Sequence, residues 1–350
     1  MIEIKPFGKV YNRRIDEITL TNKNGMYVSS CTFGCSITEI ATPDVNGVIE
    51  NVVCSFDTVE KYAQYPQFFG AAIGPFAGRL EDAVIEINGS IYQAEPNEGK
   101  HLLHGGKEGF HNQIWQYELG ESLRGSFVKY KLNTTLNNFP VNLNMSITYT
   151  LIDTNELIIL YEGISDADTV LNCTNHSYFN LSGNLKRTIE GHLLQFTSKG
   201  MLYINEQGVP LGEIENVANT LFDFNKKKPL REVIGHQDVQ VQLAGGGIDH
   251  PFFLEQNEIV LIDEESGRKL TIITDQRALV VYTGNKIGSG YSFKEAPAQN
   301  FLGICLEVQN APNSVKHKNL PSALLKKNTP YVHETIYKFS TIEITDSEIY

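Results

Sequence analysis

Short β-rich runs, most of them closed by Gly, Asn or Pro, recur along the whole chain, and no stretch holds a long helical period. Met26 to Ser30, Ala83 to Ile87, Ser90 to Gln93, Leu143 to Ile152, Glu156 to Ile164 and Leu279 to Tyr282 are such runs. They combine β-branched and aromatic residues with turn residues at their ends, the pattern of strands. Asn88-Gly89 separates two of them and Asp153-Thr154-Asn155 separates two others, and both read as hairpin turns. Helical candidates are few and short, Asp57 to Tyr65 and Ala323 to Lys327. A chain of this kind must bury strand faces against other strand faces. The pattern predicts an all-β fold, a single large antiparallel β-sandwich with few short helices, as one domain over residues 1–350. No fixed repeat or linker divides it, and Gly245-Gly246-Gly247 reads as a tight loop. The last residues, Ser347 to Tyr350, are expected to fray.

Charge narrows the function classes. The net charge of −12 argues against non-specific binding to nucleic acid or anionic membrane, which needs basic surface. No apolar run reaches the roughly 18 residues of a membrane span, and Met1 to Lys5 has no signal-peptide pattern. A cytoplasmic protein is expected. The five cysteines are odd in number and form no framework, which fits a reducing compartment. Cys31 and Cys35 have no second ligand pair for zinc and read as small buried residues.

Leu171 to Leu181 is apolar at its ends and carries two amides, two hydroxyls, a thiol and an imidazole between them. Each buried polar group must be hydrogen-bonded or cost free energy, so filling a core does not explain them. Alternation places Asn172, Thr174, His176 and Tyr178 on one face, the wall of a site. A structural histidine satisfied by a backbone carbonyl is the other reading of His176.

Four further segments carry chemistry. Gly74 to Leu80 projects Arg79 from a turn, a rigid donor fork suited to vicinal oxygens. Lys100 to Gly106 holds His101 and His104, and the two glycines after His104 make it the better site candidate. Gly245 to Phe253 places Asp249 between a glycine run and aromatic residues, which could hold a polyol and stack on a sugar face. Gly303 to Asn313 sets Glu307 between Leu306 and Val308, where an unpaired carboxylate is rare unless it is functional. Trp115 reads as core. Phosphate-cradling, dinucleotide-binding and nucleophile-elbow sequences are absent, which leaves acid–base chemistry on a neutral, hydroxyl-rich substrate.

In this order, Gly78-Arg79, Leu103-His104-Gly105-Gly106, Thr174 to Leu181, Gly247 to Phe252, Tyr282 to Asn285 and Leu306-Glu307 with Gln309 resemble the aldose 1-epimerase (galactose mutarotase) family. The resemblance runs from about Pro6 to Phe339, and its Asn-His-Ser-Tyr-Phe-Asn-Leu string is the most specific part. It implies a supersandwich with a carbohydrate cleft and interconversion of α- and β-anomers of a free aldose, a hexose such as galactose or glucose. It implies no cofactor and no metal. Glu307 would be the general base and His176 the general acid, with His104 assisting. Arg79, Asp249, Tyr178 and Gln309 would bind the sugar. A His beside carboxylates is expected to have its pKa raised and so to hold the proton it donates. Two positions depart from the family, which often has Asn at Gly78 and Gln at Val280. The partner expected is a small aldose, and exposed sheet edges leave a homodimer open. Competing readings are a glycoside hydrolase using Asp249 and Glu307, and a non-catalytic carbohydrate-binding protein.

Overall fold

The computed structural model describes residues 1–65, 67–136, 138–139 and 141–342. Ser347 to Tyr350, expected to fray, lie outside the described residues. Strands dominate, and the long ones pair antiparallel. One sheet has 13 strands and a second has five, the latter built in sequence order from Ile2–Val10 to Ile49–Asn51. Both expected hairpins form. Asn88 and Gly89, at φ 52° and 82°, join Val84–Ile87 to Ser90–Gln93, and Ile152 pairs with Glu156 across the second turn.

Period-two alternation explains how the sheets pack. In Val141–Ile152 the residues Val141, Leu143, Met145, Ile147, Tyr149 and Leu151 are all buried. They share one core with Ile18, Leu20, Val28, Ile37 and Ile40 of the five-stranded sheet. Polar ends on buried aromatics tie the layers, as Tyr130 Oη meets Ser30 Oγ at 2.8 Å and Tyr149 Oη donates to the Cys35 carbonyl at 2.7 Å. Trp115 is core, with its indole N–H donated to the Phe110 carbonyl. All five cysteines are buried and free.

Arg268 joins the sheets by charge. It is buried at the start of the Arg268–Thr274 strand and donates to the carbonyls of Thr42 and Val48 and to Glu50 Oε2 at 3.0 Å. Arg268→Met would remove these charged donors from a closed space and leave Glu50 only its Lys186 and Asn184 contacts. It is expected to cost about 3–5 kcal/mol, read as a lower urea midpoint.

Of the two expected helices, Asp57 to Tyr65 contains the helix Val59–Gln64. Ala323 to Lys327 is not helical, because Leu324–Leu325 pairs as a strand with Thr169–Val170. A short apolar run has no period to separate the two states, and the partner strand decides. An unexpected helix, Val239–Leu243, is capped by the Asp238 side chain. Among the described residues no helix is long and apolar enough to cross a membrane.

Candidate active site

One face of four adjacent strands builds the floor of a cavity. Asp249–Asp263, Ala278–Tyr282, Ile304–Gln309 and Tyr178–Phe179 are neighbours in the large sheet. Their register aligns Asp249, Tyr282, Cys305 and Tyr178 in one cross-strand row. The next row holds Pro251, Val280 and Glu307. The Tyr178–Cys305 register, carried two residues on, sets His176 opposite Glu307. Alternate residues point the other way, and Phe252, Leu279, Val281, Ile304, Leu306 and Val308 enter the main core. The same strands thus supply the apolar core on one side and the polar floor on the other.

The cavity has a volume of about 250 Å³, the size of a small molecule, and its lining includes Arg79, His104, His176, Asp249, Glu307 and Gln309. His176 Nε2 lies 3.5 Å from Glu307 Oε1, and both side chains are buried. Gln309 is buried as well; its Nε2 donates to the Asn310 carbonyl while Oε1 has no partner. Such an orphan acceptor on a cavity wall suits an incoming hydroxyl. Tyr178 lines the cavity with its ring, because its hydroxyl is already donated to the Gln67 carbonyl at 2.8 Å.

His104 and Arg79 arrive together through a short bridge that pairs Leu103 with Arg79. The His104 backbone N–H donates to the Gly78 carbonyl, and the Gly78 N–H donates back to His104 Nδ1 at 3.1 Å. His104 Nδ1 is therefore an acceptor, so the neutral ring carries its hydrogen on Nε2. A Cβ on Gly105 would stand 2.5 Å from the Gly74 carbonyl oxygen, so this turn closes only with glycine. Gly78, at φ 81°, has Pro312 Cβ 2.5 Å from its would-be side chain. Arg79 forms a fork on Glu98, with contacts of 2.6 and 2.9 Å, and Nη1 lies 3.7 Å from Asp249 Oδ2.

The polar middle of Leu171 to Leu181 divides between site and scaffold. His176 and Tyr178 line the cavity, whereas Asn172 and Thr174 do not. Asn172 instead bonds Ala77 and Asn310 of neighbouring loops. The segment forms only two-residue strands, Thr174–Asn175 and Tyr178–Phe179, so alternation counted from Asn172 fails. His101 also faces away, on the Asp82 N–H and Gln207. The aromatic residues after Asp249 do not stack in the cavity, since Phe252 enters the core and Phe253 packs with Leu202, Ala311 and Leu320. Phe68, Tyr178 and Tyr282 supply its aromatic walls.

Sequence reasoning missed Phe68, Glu98 and Lys286, which also line the cavity. Phe68 and Glu98 sit in loops with no pattern of their own. Lys286 directly follows the Tyr282 to Asn285 segment, a signal that was available. Asn285 itself is scaffold, as its amide donates to Ala244 and Ile248 and pins the triple-glycine loop.

Burial sets the protonation states. It pushes His176 down to about 3, so the expected rise of its pKa does not occur. A carboxylate at 3.5 Å does not outweigh the loss of water around a closed imidazolium. Burial likewise pushes Glu307 well above the ordinary carboxylate range, with Asp249 adding to the push and Arg79 opposing it. Asp249 is raised by burial against the pull of Arg79 and Lys286. Burial, then His176 and Arg79, hold His104 well below its usual value. The His176–Glu307 pair therefore keeps one proton between its two members, most favourably as a neutral imidazole beside a protonated carboxyl. Two such groups facing one space can pass a proton to and from a bound molecule.

His104, His176 and Glu307 place ligand-type atoms within 4.8 Å of one another. The set offers a metal ion little, because the inward nitrogen of His104 carries its hydrogen and has no free lone pair.

The sequence model of the aldose 1-epimerase family matches residues 16–338. An aldose 1-epimerase of Haemophilus influenzae is 34% identical over 97% of this chain and 100% of its own. A galactose mutarotase of Bos taurus is 33% identical over 89% of this chain and 91% of its own. Among solved structures, a galactose 1-epimerase from Lactobacillus acidophilus superposes with a TM-score of 0.87 at 28% identity, covering 98% of this chain and 99% of that one.

Proposed function

The chain belongs to the aldose 1-epimerase family and is an isomerase, and from that premise we propose that it interconverts the α- and β-anomers of a free hexose by acid–base opening and reclosure of the hemiacetal. The observation that carries this reading is the buried His176–Glu307 pair on the cavity floor. Glu307 as carboxylate takes the proton of the C1 hydroxyl. The C1–O5 bond breaks, its electron pair goes to O5, and His176 Nε2–H protonates that oxygen. The product is the open aldehyde, with Glu307 protonated and His176 neutral. Rotation about C1–C2 and the reverse transfers close the ring with the other configuration. The pair holds one proton throughout, and the distribution that burial favours is the one that accompanies the open chain. Both groups are buried on the cavity floor, so a bound sugar that displaces solvent there acts directly on their proton affinities.

Binding is assigned around that step. Arg79, held by Glu98, and Asp249 take vicinal hydroxyls, Gln309 Oε1 accepts another, and His104 Nε2–H donates beside the reacting oxygens. The rings of Tyr178, Tyr282 and Phe68 cover the apolar face of the sugar. Val280 and Gly78 offer no hydrogen-bonding side chain, so discrimination at those points rests on shape.

The test is polarimetry of freshly dissolved α-D-glucose and α-D-galactose. The protein is expected to speed the approach to anomeric equilibrium on at least one of them without changing its end point. It is also expected to release no nitrophenol from nitrophenyl glycosides. Glycoside cleavage, or sugar binding with no acceleration on any aldose, would overturn the reading.

A further inference from the structure

The strand that carries Glu307 also presents a second group to the same imidazole. Cys305 lies two residues before Glu307 on the Ile304–Gln309 strand and therefore on the same face. Its Sγ stands 3.4 Å from His176 Nδ1, while Glu307 Oε1 stands 3.5 Å from Nε2. Thiol, imidazole and carboxyl are all buried. One strand thus brackets both nitrogens of one ring. We propose that Cys305 is a positioning residue: its sulfur accepts a hydrogen bond from His176 Nδ1–H, which fixes the ring and its tautomer so that Nε2 alone gives and takes the proton of the reaction.

The choice of a thiol has a chemical consequence. A histidine that works as an acid is commonly held at Nδ1 by a carbonyl or carboxylate, which stabilises the imidazolium. Thiol sulfur is a weak acceptor. It aims the ring without trapping the proton, and the proton stays free to move to Glu307. Burial keeps the thiol protonated, so sulfur brings no charge of its own. The other titratable groups facing this arrangement are Glu307, Asp249 and Cys54 around the sulfur and His104 and His111 around the ring, with Tyr178 and Tyr282 beside them. Among the described residues, Cys305 is the side chain hydrogen-bonded to Nδ1.

The inference rests on the proposed acid role of His176, and its test is chosen to stand apart from that role. Nitrogen-15 NMR of the histidine rings reads the tautomer with no turnover. In the wild type, His176 is expected to carry its hydrogen on Nδ1 with Nε2 bare. Cys305→Ala is expected to mix the two tautomers and lower kcat by about 10- to 100-fold, the cost of a reacting group displaced by about 1 Å, with KM changed far less. Cys305→Ser keeps an acceptor and is expected to restore the tautomer and most of kcat. Loss of packing alone would lower stability in both variants and leave the tautomer unmoved. A wild-type ring protonated on Nε2, or a Cys305→Ala protein with wild-type tautomer and kcat, would overturn the proposal. A wild type that moves no anomer yet shows the Nδ1–H tautomer would instead remove the function and leave the positioning contact standing.

Discussion

Glu307→Gln is expected to lower kcat for anomer interconversion by about 100- to 10,000-fold, the usual worth of one positioned proton-transfer group. The amide keeps the size and hydrogen-bonding reach of the carboxyl but cannot take the C1 proton. Sugar binding should persist, because Arg79, Asp249 and Gln309 are untouched, so the loss belongs in kcat rather than KM. The same change is expected to stabilise the fold at neutral pH. Glu307 is raised well above the ordinary carboxylate range in the folded chain. The folded state therefore holds a proton that the unfolded state releases, and stability is lost as pH rises from the ordinary carboxylate value through the raised one. Gln does not titrate, so its advantage should be largest at and above neutrality and fade toward pH 4. Polarimetry and thermal melts at several pH values read both effects. Unchanged turnover would remove Glu307 from the mechanism. Lost activity together with lost stability would mean that the carboxyl holds the fold.

Such a residue was visible in the sequence because Leu306 and Val308 flank it, and a carboxylate in an apolar strand asks for a reason. The hairpins at Asn88-Gly89 and Asp153 to Asn155 were legible for a local reason, since turn chemistry and alternation sit within a few residues of each other. Other elements were not. Ile2–Val10 is largely exposed, contains Pro6 and is bulged at Pro6/Gly8, so it lacks a clean alternating face. Asp249 follows a glycine run that reads as a tight loop, yet it opens a strand of 15 residues. The cavity itself is a matter of register. That Glu307 faces Val280 and Cys305 faces both Tyr282 and Tyr178 is set by pairing between distant segments, which no local window contains. The direction of the His176 shift failed for the same reason. Proximity to carboxylates can be guessed from motifs, whereas the depth of burial that outweighs it comes from the closed sheet above the core.

Acid is expected to unfold the protein cooperatively, with a midpoint between about pH 4 and 5, and buried histidines are the cause. Burial pushes His250 down to about 3 and His192 down to about 4, and the half-buried His111 is pushed down to about 4 as well. His104 is held well below its usual value. Each is neutral in the fold and protonated in the unfolded chain once pH falls below about 6.5. A group whose folded pKa is depressed in this way takes stability from the fold as pH falls from the unfolded value toward the folded one. At pH 5 that is about 2 kcal/mol for each of the first three, or about 6 kcal/mol together, against a typical total of about 5–15 kcal/mol. His176 stays out of this account, because near pH 5 the pair carries about one proton in the fold, on Glu307, and about one in the unfolded chain, on His176. Hydrogen bonds act alongside burial in two of these rings. His250 Nδ1 accepts from the Asp249 N–H and His192 Nε2 accepts from the Leu181 N–H, and a protonated ring has no lone pair to offer either. Circular dichroism and Trp115 fluorescence should lose structure together, with an uptake of about four protons on unfolding near pH 5. His250→Gln should reduce that uptake by about one proton and flatten the pH dependence, although it costs stability at pH 7. A chain that stays folded at pH 4 would mean that these histidines reach water in the native state, and with them the cavity floor on which His176 and Glu307 exchange their proton.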